Sequence, residues 1–149
     1  GLDLIDLTQA IREAVLAQSS IVGSLPAYLE QPTVFTRKPV PEDAPYPMLT
    51  ISPDITERKE DGINDFRPIY TRDITVYGEN DTAAKYRFVE ALAFTIANYF
   101  HANKHAIALP DGWALSGVTA TSPRPAPTDD DTKVGRLVEV TFRLARPRT

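Results

Sequence analysis

The chain has 149 residues, 42% hydrophobic and 24% charged, with a net charge of −4 and no cysteine. Those figures suit one soluble globular domain over residues 1–149 and exclude disulfides, a thiol nucleophile and a thiolate metal site. They argue against a general nucleic-acid binder, which is usually basic. No apolar run approaches the roughly 20 residues that span a bilayer, and no signal-peptide pattern opens the chain, so no membrane partner is expected.

Leu4, Leu7, Ile11, Ala14 and Val15 share one helical face, and Asp3 and Asp6 suit the positive end of a helix dipole. A helix is predicted over residues 3–19, stopped by Gly23 and Pro26. Residues 33–37 read as a short strand. Pro39, Pro41, Pro45 and Pro47 make residues 38–47 a stiff, extended connector, because proline donates no backbone hydrogen bond. A strand over residues 48–52 follows, with Leu49 and Ile51 on one side and Pro53 at its end. Residues 56–66 are highly charged around the turn pair Asp61-Gly62 and read as a long hairpin tip whose arms project beyond the sheet.

The strongest pattern lies in residues 67–100. Tyr70, Arg72, Ile74 and Val76 alternate with Thr71, Asp73, Thr75 and Tyr77, the period of a strand with one face on a core. A break at Gly78–Asp81 follows, with Asn80 or Asp81 as helix cap. Ala84, Phe88, Ala91, Leu92, Thr95, Ile96 and Tyr99 then recur at helical spacing. Residues 113–121 read as a strand with a bulge or close approach at Gly117, and residues 122–133 as a loop of prolines and aspartates. The closing strand places Val134, Arg136, Val138, Val140, Phe142 and Leu144 on one face. Without regular βαβ alternation, the expected class is α+β: a mainly antiparallel sheet of about four to five strands with two helices on one face.

Little of this carries chemistry. His101 and His105 share a helical spacing, but no third imidazole exists and no glutamate stands beside His101 as a base. A metal would need a carboxylate such as Asp111. Asp129, Asp130 and Asp131 lack the alternating ligands and glycine of a calcium loop. Ser116-Gly117 lacks the nucleophile elbow, and no glycine cluster precedes a helix to cradle phosphate. Tyr70, Tyr77, Trp113 and Arg72 read as sheet aromatics and their neighbour rather than a base-stacking face. Neither catalysis, nor a cofactor, nor a metal is expected.

Charge is uneven. Residues 1–75 hold 7 Lys/Arg and 12 Asp/Glu, a net of −5, whereas residues 76–149 hold 9 and 8, a net of +1. Arg143, Arg146 and Arg148 end the chain without an acid among them. An acidic part and a basic end suit head-to-tail contact between identical subunits.

The order of elements resembles the tail-completion (tail-terminator) family of long-tailed phages and phage-like particles. The resemblance rests on Pro45-Tyr46-Pro47-Met48-Leu49-Thr50-Ile51 before the charged hairpin and on Arg72-Asp73-Ile74-Thr75-Val76-Tyr77-Gly78 before the alanine-rich helix at 83–100. It also rests on Arg136 to Leu144 as last strand and on the N-terminal helix around residues 7–16. It implies a structural virion protein, assembled in the host cytoplasm and located at the head–tail junction. There a ring, commonly of six subunits, caps the tail tube, ends its polymerisation and joins it to the head-connector protein. Sequence-specific nucleic-acid binding is not implied, although DNA passes through such a ring. The candidate contact residues are Glu57, Arg58, Lys59, Glu60 and Asp61 on the hairpin, then Arg143, Arg146 and Arg148, with residues 122–133 as a second contacting loop. Competing readings are another neck ring (adaptor or head-closure protein), a metal-dependent enzyme domain using His101, His105 and Asp111, and a cellular protein of similar fold that forms a dimer.

Overall fold

Alternation of apolar and polar side chains decides the centre of the fold. The computed structural model describes residues 5–37, 40–53, 56–59, 65–128 and 130–147. Among them lie three helices, α1 (Thr8–Leu16), α2 (Ser19–Val22) and α3 (Ala83–Phe100). The strands are β1 (Ala27–Tyr28), β2 (Gln31–Pro32), β3 (Val34–Phe35), β4 (Met48–Ile51), β5 (Thr56–Lys59), β6 (Asp65–Phe66), β7 (Pro68–Glu79), β8 (Ala114–Ala120), β9 (Arg124–Ala126) and β10 (Lys133–Pro147). The class is α+β.

β7 and β10 form the spine, paired antiparallel from Glu79↔Lys133 to Ile69↔Arg143. Tyr70, Arg72, Ile74 and Val76 on β7, with Val138, Val140, Phe142 and Leu144 on β10, are buried on the face that the helices cover. Phe100 of α3 meets Phe142 edge-on at 5.9 Å, a geometry that aromatic rings favour.

Eight strands join this sheet, more than the four to five expected. The difference comes from short pieces that pair with the long strands: β5 beside the start of β7, and β6 and β9 along β10. β9 therefore turns part of the expected 122–133 loop into sheet, despite Pro125. The sheet is also mixed, because β3 runs parallel to β4 through Val34↔Leu49 and Phe35↔Thr50. The proline-rich connector carries the chain back far enough for that parallel return.

Other boundaries shift for local reasons. The first helix begins at Thr8, where the Asp6 carboxylate accepts the Thr8 N–H at 2.9 Å. It ends at Leu16 because Gln18 is extended, and α2 then turns Ile21 into the core. Thr82 rather than Asn80 or Asp81 caps α3, its hydroxyl accepting the Lys85 N–H at 3.2 Å. The buried stripe of α3 is Val89, Leu92, Ala93, Ile96, Ala97 and Phe100, one position round from the predicted face. Phe88 and Tyr99 pack only at its flank, and Ala84 and Ala91 are exposed. Gly78 fixes this phase: a Cβ there would lie 2.3 Å from Val89 Cγ2, so helix and strand approach closely only with glycine.

The expected bulge at Gly117 falls on its neighbour. Gly117 pairs with Arg143 and Leu115 with Leu144, leaving Ser116 as the extra residue. Its hydroxyl donates to the Arg143 carbonyl at 3.0 Å.

Candidate assembly surface

The described ends of the charged segment pair with the long strands instead of projecting beyond the sheet. β5 pairs with the start of β7, through Glu57↔Tyr70, Arg58↔Ile69 and Lys59↔Pro68. β6 instead pairs with the end of β10, through Phe66↔Arg146. Glu60, Asp61 and Arg148 lie outside the described residues. The register brings the remaining candidates to one end of the sheet, because Arg58, Ile69 and Arg143 form a single row across β5, β7 and β10. β5, with Glu57, Arg58 and Lys59, and β10, with Arg143, thus flank the same strand, β7, rather than standing on opposite edges.

Arg143 and Arg146 are both half-buried. The Arg146 guanidinium lies 5.7 Å from the centre of the Trp113 ring, a cation–π contact. Trp113 in turn meets Phe66 edge-on at 5.9 Å. A turn with Gly112 at φ 87° puts Trp113 there, its N–H donating to the Pro110 carbonyl at 3.1 Å. Arg146 therefore presents only part of its guanidinium to a partner.

The residues of the metal reading are occupied differently. His101 Nδ1 accepts the Ala120 N–H at 3.2 Å, and the next residue, Ala102, donates its N–H to the Val118 carbonyl at 2.9 Å. The end of α3 thereby covers the outer edge of β8, a place where an open strand would invite pairing. The His105 N–H donates to Asn103 Oδ1. Among the described residues no three His, Cys, Asp or Glu side chains gather to hold a metal. Asp130 accepts hydrogen bonds from the Thr132 hydroxyl and N–H, which hold its carboxyl below the usual range. No helix among the described residues is long and apolar enough to cross a membrane.

Other charged side chains were not among the candidate contacts. Arg72 is buried beneath α1 and donates to Thr8 Oγ1 at 2.8 Å and to the Ser52 carbonyl at 3.1 Å. Arg136, between α3 and β10, pairs with Glu90 at 2.9 Å and lies over Tyr86 at 5.2 Å. Lys85 bridges Glu79 and Asp81 at the turn into α3. The alternation of β7 and β10 placed Arg72 and Arg136 on the core face, a signal that each needs a polar partner there.

No protein-family model and no curated protein sequence matches the chain. Solved structures do. One match is a chain of the virion of a native gene transfer agent particle, 14% identical, with a TM-score of 0.65 over 96% of both chains. At that identity the likeness is one of fold, and it runs the full length of both chains.

Proposed function

We propose that this protein is a structural virion component, a single tail-terminator-like domain whose copies form a ring of six at the end of a tail tube. The observation that carries the reading is the fold shared end to end with a chain of a gene transfer agent virion. In this reading the ring stops tube polymerisation, meets the head-connector protein on its other face and lets DNA pass. It works by packing and charge, without a cofactor or a chemical step. Glu57, Arg58, Lys59, Glu60 and Asp61, with Arg143, Arg146 and Arg148, are the proposed contacts. The shared end of the sheet that holds Glu57, Arg58, Lys59, Arg143 and Arg146 suits a patch of mixed charge that docks as a unit and loses strength in salt.

A second reading, another ring of the neck, rests on the same fold likeness, since a virion particle contains several kinds of ring. Tube capping separates the two. Purified protein is added to polymerising tail-tube subunits and tube length is followed by electron microscopy. A terminator gives tubes that stop growing and carry an extra ring at one end. Tubes that grow on with nothing bound at either end overturn the assignment and favour the neck ring.

A further inference from the structure

The end of α3 is joined to the outer edge of β8 by two bonds of unlike kind. Ala102 donates its N–H to the Val118 carbonyl at 2.9 Å, and His101 Nδ1 accepts the Ala120 N–H at 3.2 Å. These two backbone groups flank Thr119, and they are the pair that one residue of a parallel neighbouring strand would engage. The helix end therefore imitates a strand. Ala102 supplies the N–H, and the His101 ring nitrogen stands in for a carbonyl. The conformation has a cost: Ala102 has φ 59°, in the left-handed region where glycine is the usual residue just past a helix. The turn beyond is fixed by Asn103, whose side chain donates to the Tyr99 carbonyl at 3.0 Å, and by the Tyr99 hydroxyl, which donates to the Ala106 carbonyl at 2.8 Å. A firm frame thus holds an exposed imidazole against a sheet edge.

An imidazole nitrogen accepts a hydrogen bond only while it lacks a proton. With Nδ1 as acceptor, the neutral ring carries its proton on Nε2, whereas the imidazolium has a proton on each nitrogen and only donates. A proton on Nδ1 would meet the Ala120 N–H donor against donor. We infer that His101 is a proton-operated guard of the β8 edge: neutral, it closes off the Ala120 N–H, and protonated, it releases that group and leaves the edge open to an added strand. Imidazoles ordinarily change charge between about pH 5 and 8, a range in which carboxylates and lysines ordinarily do not. The charged groups nearby are few. Lys104 and His105 follow on the same turn, and β8 itself has no ionisable residue. On β10, Glu139 belongs to the other face of the sheet, where Arg124 pairs with it at 3.2 Å, and Arg143 lies opposite Gly117. The inference concerns a single subunit and stands apart from the assembly reading.

Amide hydrogen exchange of the whole chain tests this, followed residue by residue by NMR at about pH 7.5 and about pH 5.5. Each rate is divided by that of an unprotected amide at the same pH. Protection of the Ala120 amide should fall by roughly 2- to 10-fold on acidification, the worth of one hydrogen bond, while amides of the β7–β10 ladder keep theirs. His101→Asn puts an acceptor oxygen that does not titrate in the place of Nδ1, and should hold the Ala120 protection at both pH values. His101→Ala should show the low protection at both. His105→Ala removes the other histidine and should respond as wild type does. No response in wild type, an equal response in His101→Asn, or loss of the response in His105→Ala overturns the guard. So does a neutral His101 ring found with its proton on Nδ1.

Discussion

The two faces of the β7–β10 ladder are built from the same strands yet behave differently. On the helix side, Ile74, Val76, Val138, Val140 and Phe142 are all buried, and the charged residues of that face, Arg72 and Arg136, are held by Thr8 and Glu90. On the other side, Thr71, Thr75, Asp73 and Tyr77 face Thr141, Leu137, Glu139 and Gly135 in register. Thr50 of β4 extends that polar row beside Thr75. Thr50, Thr71 and Thr75 are nevertheless buried: Thr50 and Thr75 lie in a groove of about 540 Å³ walled by Phe35–Arg37 and Ala126–Pro127, and Thr71 lies between β5 and β10. One face spends its side chains on cohesion; the other keeps its hydroxyls and carboxylates at a recessed surface. Stability therefore resides on the helix side, and substitutions across the ladder separate the two.

The largest contrast is between neighbours on β10. Phe142→Ala removes a fully buried ring packed on Phe100 and should cost about 3–5 kcal/mol. Thr141→Val, one residue away on the other face and 3.5 Å from the Thr71 hydroxyl, should stay within about 1 kcal/mol. Urea unfolding of both variants checks this, with equal losses overturning the division of labour.

How far the sequence discloses this division depends on how strongly each element repeats. β7, α3 and β10 are 12, 18 and 15 residues long, so their periods of two and 3.6 are sampled several times. The phase of α3 is harder to see. Phe88, Ala91, Phe94 and Tyr99 make the helix apolar nearly all round, and only the close approach of Gly78 to Val89 selects the buried stripe. The β1–β2 hairpin is invisible because Leu-Glu is not a turn pair. β9 hides behind Pro125, and the parallel β3–β4 pairing depends on where a long connector returns. Of the candidate contacts, the charge was legible but its placement was not. Only register shows that Arg58 and Arg143 share a row.

A middle-sized effect should come from Arg72, a charged side chain that joins α1 to the helix-side face. Arg72 is buried, yet its ionic partner Asp6 lies in water at 3.6 Å. Arg72→Ala leaves a cavity and frees Thr8 and the Ser52 carbonyl, which should cost about 3 kcal/mol. Asp6→Asn should cost less than about 1 kcal/mol, since the carboxylate is exposed and screened. The Asp6 carboxyl is held below its usual pKa, first by the Thr8 N–H, then by the Thr8 hydroxyl, with Arg72 adding attraction. A depressed folded pKa means stability that is present above the unfolded value, near 3.9, and is lost as pH falls through the folded one. Wild type should therefore lose more stability than Asp6→Asn on acidification below about pH 4. Equal acid slopes would mean that the charge on Asp6 contributes nothing to stability.

The smallest effect belongs to the opposite face, where like charges stand directly opposite each other. Asp73 and Glu139 are cross-strand partners, an arrangement that repels. Arg124 of β9 offsets it by pairing with Glu139 at 3.2 Å. That pair is largely exposed, so Arg124→Ala should cost only about 0.5 kcal/mol at low salt and nearly nothing at 1 M, where screening shortens the repulsion to about 3 Å. Glu139→Gln in the Arg124→Ala background should restore the loss, because the repulsion goes with the charge. A loss that persists in high salt and is not restored would mean that β9 is held by its backbone pairing, through Leu137↔Arg124 and Gly135↔Ala126. The groove wall would then owe its position to hydrogen bonds rather than to charge. This distinction bears on the proposed assembly, since a wall held by charge would loosen in the same salt that the proposal expects to weaken docking of the mixed-charge end of the sheet.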